Sequence, residues 1–255
     1  MVTAGERGRF VQLGDVRGWD RYAYVRNNPT DRIDPTGHMD CDDEVGSPRD
    51  RRDLTRWLVA AAVDSANSPE MQFLRYNNDA FVVTALVSPP LAGVITAGDM
   101  IYFKSYVGDG KKYDVKDKIF ALLKTDVVIL AGEAFEFSTV GNVLYGFYGA
   151  SAGYDPAMLH TGAGIAQLGD HNRCGSETGD YFYDTEDDYY AIELGILLYE
   201  EYYDDGILTE AEFVKALSEF PHKNQLNHKP MPDYKPEEIY YIPQDFYFGF
   251  EGLCQ

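Results

Sequence analysis

Positive charge is scarce in this chain: 22 Lys+Arg stand against 42 Asp+Glu, a formal net charge of −20. Such a field repels phosphate backbones and anionic membrane surfaces unless a local basic patch overrides it. The densest basic cluster, Arg49, Arg51, Arg52 and Arg56, is interleaved with Asp50 and Asp53 and reads as a solvated helix face. Cysteine is nearly missing. Cys41, Cys174 and Cys254 are an odd count without C-x-x-C spacing, which excludes a disulfide framework and argues against a zinc site. Met1–Asp20 holds no apolar core of a secretory leader, so export would need a separate machine or an upstream carrier. Long hydrophobic runs are also lacking. Ala80–Ile101 is broken by Pro89-Pro90 and two glycines, and is expected to form a buried hairpin of short elements rather than a membrane span. No internal repeat is visible.

What is present is enough for a core: 45% of residues are hydrophobic and 14% aromatic, led by 20 Tyr. The charge is unevenly spread. Residues 1–38 carry 6 basic and 5 acidic residues, leaving 16 and 37 for residues 39–255, a net of −21. Two regions of different origin are therefore expected, 1–38 and 39–255.

Local signals outline an α+β chain that is predominantly helical. Ser47-Pro48 marks a helix start, followed by Leu54, Trp57, Leu58, Ala61, Ala62 and Ser65 at helical spacing to about Asn67. A short helix is expected from Pro69 to about Asn77. Lys118–Lys124 and Val127–Phe137 are β-prone runs, with a hairpin the expected outcome. Beyond Val140 helices dominate: Asp155-Pro156 caps one to about Leu168, and Thr185 caps another to about Tyr203. Thr209 with Glu212 forms a capping box for a third, ending near Phe220. The segment 221–255 holds five prolines and is expected to be an extended tail that wraps the domain.

Residues 21–37 read RYAYVRNNPTDRIDPTG, a Tyr-rich strand followed by turns at Asn27-Asn28-Pro29 and Asp34-Pro35-Thr36-Gly37. This run resembles the end of the Rhs/YD-repeat-associated core, whose signature is Y-x-Y-V-x-N-N-P followed by D-P-x-G. The resemblance implies a β-cage that closes here, a variable toxin beyond the border, and processing near Asp34, Pro35 and Gly37. With no cage in the sequence, residues 1–38 are expected to be a remnant of that core. The implied partners are the Rhs core of a full-length protein and a cognate immunity protein, and the implied destination is secretion or delivery into a competing cell.

The stretch Val140–Gln167 crowds Gly141, Gly146, Gly149, Gly153, Gly162 and Gly164 among small residues. Close helix packing accounts for the glycines, but not for Asn142 and Gln167, which need polar partners if buried. The pattern G-N-x-x-Y-G-x-x-G-x-x-x-G (Gly141, Asn142, Tyr145, Gly146, Gly149, Gly153) is followed by A-G-x-x-Q (Ala163, Gly164, Gln167). Asp184 and Asp188 come next, then Ile192, Gly195, Ile196 and Tyr199. Together these resemble the type 44 polymorphic toxin family over about residues 100–220, and Tyr113-Asp114-Val115-Lys116 resembles its aromatic-Asp-x-Lys segment. That family tends to place a carboxylate shortly before the Gly-Asn. Here Ser138 and Thr139 stand there, and Glu136 is the nearest acid.

The candidate catalytic residues are therefore Asn142, Tyr145, Asp184, Asp188, Asp114 and Glu136, with Lys116, Gln167 and Gly146 as substrate-binding candidates. A carboxylate pair suits acid/base hydrolysis of a glycosidic bond. Carboxylates with Asn could instead hold a divalent metal for phosphodiester cleavage, although no cofactor is required by the pattern. The expected activity is hydrolysis of cell-wall glycan or RNA. The alternative is a non-catalytic cassette or binding module, which Ser138 favours, and helix N-terminal charge alone would account for Asp184 and Asp188. His160 reads as a core or surface histidine, and His171, expected in a polar loop, as the better base. Glu201–Glu212 echoes half of a calcium loop, but Tyr203 occupies a ligand position, and a capped turn explains the same residues.

Overall fold

The computed structural model describes residues 52–87, 89–108, 110–174, 178–203 and 206–233, all within one compact unit spanning Arg49–Tyr240. The Rhs-like segment, the turn at Asp34, Pro35 and Gly37, the Ser47-Pro48 signal and the tail beyond 233 lie outside the described residues.

Helix α1 (Thr55–Ala66) starts later than Ser47-Pro48 would have it. Asp53 sets the start, its Oδ1 accepting from Thr55 N at 3.0 Å and from Thr55 Oγ1 at 2.6 Å. The predicted apolar face, Leu54 through Ser65, is buried as its spacing requires. Helices α2 (Pro69–Val87) and α3 (Pro89–Val107) pack on each other and correct two expectations. The helix from Pro69 runs well beyond Asn77, and Ala80–Ile101 lies in two long helices rather than short elements. Pro89 opens α3 instead of breaking a helix, because the first helical N–H groups have no partner to lose. No helix among the described residues is long and apolar enough to cross a membrane.

Helix α4 (Lys116–Leu123) replaces the strand expected at Lys118–Lys124. Ile119 and Leu123, four residues apart, are its buried positions, so a single helical stripe uses the apolar residues that had looked β-prone. Lys124, in the left-handed region at φ 55°, ends it. The hairpin expected next is present. Strands β1 (Val127–Leu130) and β2 (Glu133–Glu136) pair antiparallel from Val127–Glu136 to Leu130–Glu133. Ala131 and Gly132, at φ 52° and 79°, make the two-residue turn whose twist matches a hairpin. Both edges are covered: Asp53 bridges Ile129, and His228 bridges Phe135. The first part of the Pro-rich tail thus lies against β2, with Lys229 N donating to Ala134 O and Glu136 N to Asn227 O, each at 2.9 Å.

Four helices follow: α5 (Phe137–Ser151), α6 (Pro156–Cys174), α7 (Glu186–Leu197) and α8 (Glu210–Glu219). Helix α6 continues past Leu168, which puts His171 in a helix rather than a loop. A π turn, Leu198–Tyr202, extends α7. Helix α8 carries the expected capping box, with Thr209 Oγ1 accepting from Glu212 N and Glu212 Oε2 accepting from Thr209 N. The most extensive helix contact is α5 on α7, and glycine makes it. A Cβ at Gly146 would stand 2.2 Å from Ile192 O, and one at Gly195 would stand 2.0 Å from Val143 O. Backbone therefore meets backbone, and the N-terminal turn of α7 is held against α5.

Candidate functional site

Two polar side chains cross this glycine contact. Asn142, buried on α5, donates a short hydrogen bond from Nδ2 to Asp188 Oδ1 in the first turn of α7. An unsatisfied amide here would cost about 1–3 kcal/mol, so the pair fixes both side chains. Burial pushes the Asp188 carboxyl up, opposed mainly by the positive charge of Lys116, while Asp187 and Glu136 add to the rise.

Asp184, just before α7, is 4% exposed. Its carboxyl is pushed up to about 6, first by burial and then by the charge of Asp188; the N–H of Thr185, Lys116 and His160 pull the other way. Burial thus raises both acids, and the charge of Asp188 adds to the rise at Asp184. Tyr145, one turn beyond Asn142, donates its hydroxyl to Leu159 O at 3.1 Å, and burial with the charge of Asp184 drives its ionisation far above the ordinary range. The stem of Lys116 lies over Gly141, where a Cβ would come within 2.6 Å of its Cγ. Glycine at 141 lets this lysine lie flat on α5, from where its charge acts on both aspartates. Asn142, Tyr145, Asp184, Asp188 and Lys116 are thereby brought into one cluster.

The other candidates sit elsewhere or do something else. Asp114 spends both carboxylate oxygens on backbone, accepting from Gly110 N at 2.8 Å and from Lys116 N at 3.2 Å, so it shapes the entry to α4. Glu136 precedes α5 at the edge of the cluster, where it accepts from Asn227 Nδ2 at 2.7 Å and pairs with Lys229 Nζ at 3.1 Å. Asn227 also donates to Asp187 Oδ2 at 2.8 Å, tying the tail to the start of α7. Gly146, expected to let substrate approach, instead admits the Ile192 carbonyl and is closed to a ligand. Gln167 lies half-buried on α6.

His160, read from the sequence as a core or surface histidine, is a core residue. It is 3% exposed and lies flat on Tyr189, with ring centroids 4.0 Å apart at 20°. Nε2 makes a short hydrogen bond with Glu193, and Nδ1, also buried, has no partner among the described residues. Nothing short-range in the sequence links His160 to Glu193. No group of three or more His, Cys, Asp or Glu among the described residues is arranged to hold a metal ion.

Two buried carboxylates, an amide that orients one of them, and a lysine can donate and accept protons while stabilising negative charge. Comparison with known proteins speaks to the kind of domain. Residues 102–201 match the family model for bacterial toxin 44, which supports a toxin domain in this part of the chain and covers every residue of the cluster. No curated protein and no solved structure matches.

Proposed function

We propose that residues 39–255 are a toxin effector that hydrolyses the glycan of a competitor's cell wall, with Asp184 and Asp188 as its acid/base pair. The observation that carries this reading is the placement of the two acids, Asp188 held by Asn142 across the glycine contact and Asp184 buried just before α7. Asp184, raised to about 6, carries a proton below that pH and can then give it to a glycosidic oxygen. Asp188, oriented by Asn142 and facing the charge of Lys116, serves as the ionised partner. The net charge of −20 favours a substrate without a phosphate backbone. In this reading residues 1–38 are the end of an Rhs core processed at Asp34–Gly37, and a cognate immunity protein shields the producer.

The test is expression of the whole chain in a bacterial host, once in the cytoplasm and once exported. Lysis on export alone, with peptidoglycan fragments released and Asp188→Asn inert, is the expected result. Killing from the cytoplasm with RNA degraded would replace the glycan with RNA as substrate.

A further inference from the structure

Residues 178–184 connect α6 to α7 through a tight turn, with Asp184 N donating to Tyr181 O at 2.8 Å. Phe182 and Tyr183 both lie in the left-handed region, at φ 54° and 73°. That region is disfavoured for large side chains, and two in succession are held only by surrounding structure. Glycines do the holding. A Cβ at Gly164 would stand 1.6 Å from Phe182 O, and one at Gly179 would stand 2.0 Å from Asp184 O. The core gains little from either ring, since Phe182 is 52% and Tyr183 61% exposed. Strained, aromatic and solvent-facing, the pair stands directly before a buried acid, where Asn or Gly would fit the backbone more easily.

Below the surface the rings are ordered. The Phe182 ring is parallel to Tyr189 within 2°, with centroids 6.4 Å apart, and lies at 21° to the buried His160 ring. His160 in turn lies against Tyr189. The exposed Phe182 ring thus stands parallel to an aromatic neighbour two residues before Asp184, with a face open to stacking.

We propose that Phe182 and Tyr183 form a sugar-stacking subsite of the Asp184–Asp188 centre, taking the apolar C–H face of a pyranose in a glycan chain. This rests on the glycan reading above and identifies the residues that would recognise the ring. A nucleobase also stacks on aromatics, but it brings phosphates into a field of −20, whereas an uncharged sugar ring does not.

The test uses the whole chain carrying Asp184→Asn to stop turnover, titrated with a β-1,4-linked N-acetylglucosamine hexamer and, separately, with a single-stranded RNA oligomer. Phe182→Gly and Tyr183→Gly are expected to weaken hexamer binding about tenfold each. Their melting temperatures are expected to hold or rise by a few degrees, about 2–4 °C, because glycine relieves left-handed strain. Phe182→Asn and Tyr183→Asn, which also tolerate this backbone, should repeat the result. Unchanged hexamer binding overturns the subsite, and so does a binding loss that only tracks a falling melting temperature. RNA binding that depends on the same rings overturns the sugar assignment. Digestion of peptidoglycan by the unsubstituted chain is read in parallel. If it persists while the subsite fails, the hydrolase stands alone; if digestion and hexamer binding are both absent, both readings fall.

Discussion

Replacing Gly195 by alanine places a methyl group where α5 leaves no room for one. The new Cβ would stand 2.0 Å from Val143 O and 2.8 Å from Phe147 N, both backbone atoms that cannot swing aside. Restoring ordinary contact requires α7 to move off α5 by about 1 Å, and overpacking of this kind costs about 1–3 kcal/mol. At about 2–4 °C per kcal/mol for a domain of this size, the melting temperature should fall by roughly 2–12 °C. The larger effect should be on activity. Asn142 on α5 reaches Asp188 on α7 across this same contact, and a displacement of about 1 Å in a catalytic constellation costs about 100-fold. Calorimetry and peptidoglycan digestion on purified protein measure the two effects. Gly98→Ala is the control: it is exposed within α3 with nothing within 4 Å of a new Cβ, so it should gain about 0.5–1 kcal/mol and keep full activity. Combining Gly195→Ala with Gly146→Ala should cost less than the sum, since one separation of the helices relieves both clashes. A Gly195→Ala protein that melts and digests like the parent would refute the view that this contact aligns the site.

Asn142→Ala and Asp188→Asn should each abolish toxicity in the export assay while shifting the melt by less than about 5 °C; full toxicity in either removes that residue from the mechanism. Asp184 binds its proton more tightly folded than unfolded, so the parent loses stability as pH rises from about 4 through 6. Asp184→Asn should therefore be the more stable protein at pH 7.5, by up to about 3 kcal/mol, and lose that advantage below about pH 4; a difference independent of pH would contradict the burial argument. Thr209→Ala removes the capping box of α8 and should cost about 1 kcal/mol with digestion unchanged, read by the same two assays.

The helical framework was readable at several helix starts from a chemical signal, though Ser47-Pro48 did not mark the start of α1. Thr209 with Glu212, Thr185 before α7 and Asp155-Pro156 before α6 all mark true starts, and the Thr209 and Asp155 side chains satisfy first-turn N–H groups, whereas Thr185 makes no such bond. Reading failed where the signal was composition alone. Lys118–Lys124 looked β-prone, yet a helix that buries only Ile119 and Leu123 satisfies the same residues. Pro89-Pro90 looked like a break, yet proline at a first helical position opens α3. Residues 201–212 echoed a calcium loop, and the structure gives the Glu212 carboxylate to Thr209 N and Oγ1.

The site was readable in its residues but not in how they are held. Asn142 and Tyr145, three apart, share a face of α5 by helical geometry, and Asp184 and Asp188 bracket the start of α7 for reasons of charge and capping. Their meeting depends on contacts between residues 5 to 52 apart that glycine permits. Gly146 and Gly195 let the backbones of α5 and α7 touch, Gly141 lets the Lys116 stem lie flat, and Gly164 and Gly179 seat the strained turn that ends at Asp184. A glycine-rich motif beside polar residues invites the thought that glycine makes room for substrate. Here each of these five makes room for another part of the chain, so these glycines encode the placement of two carboxylates.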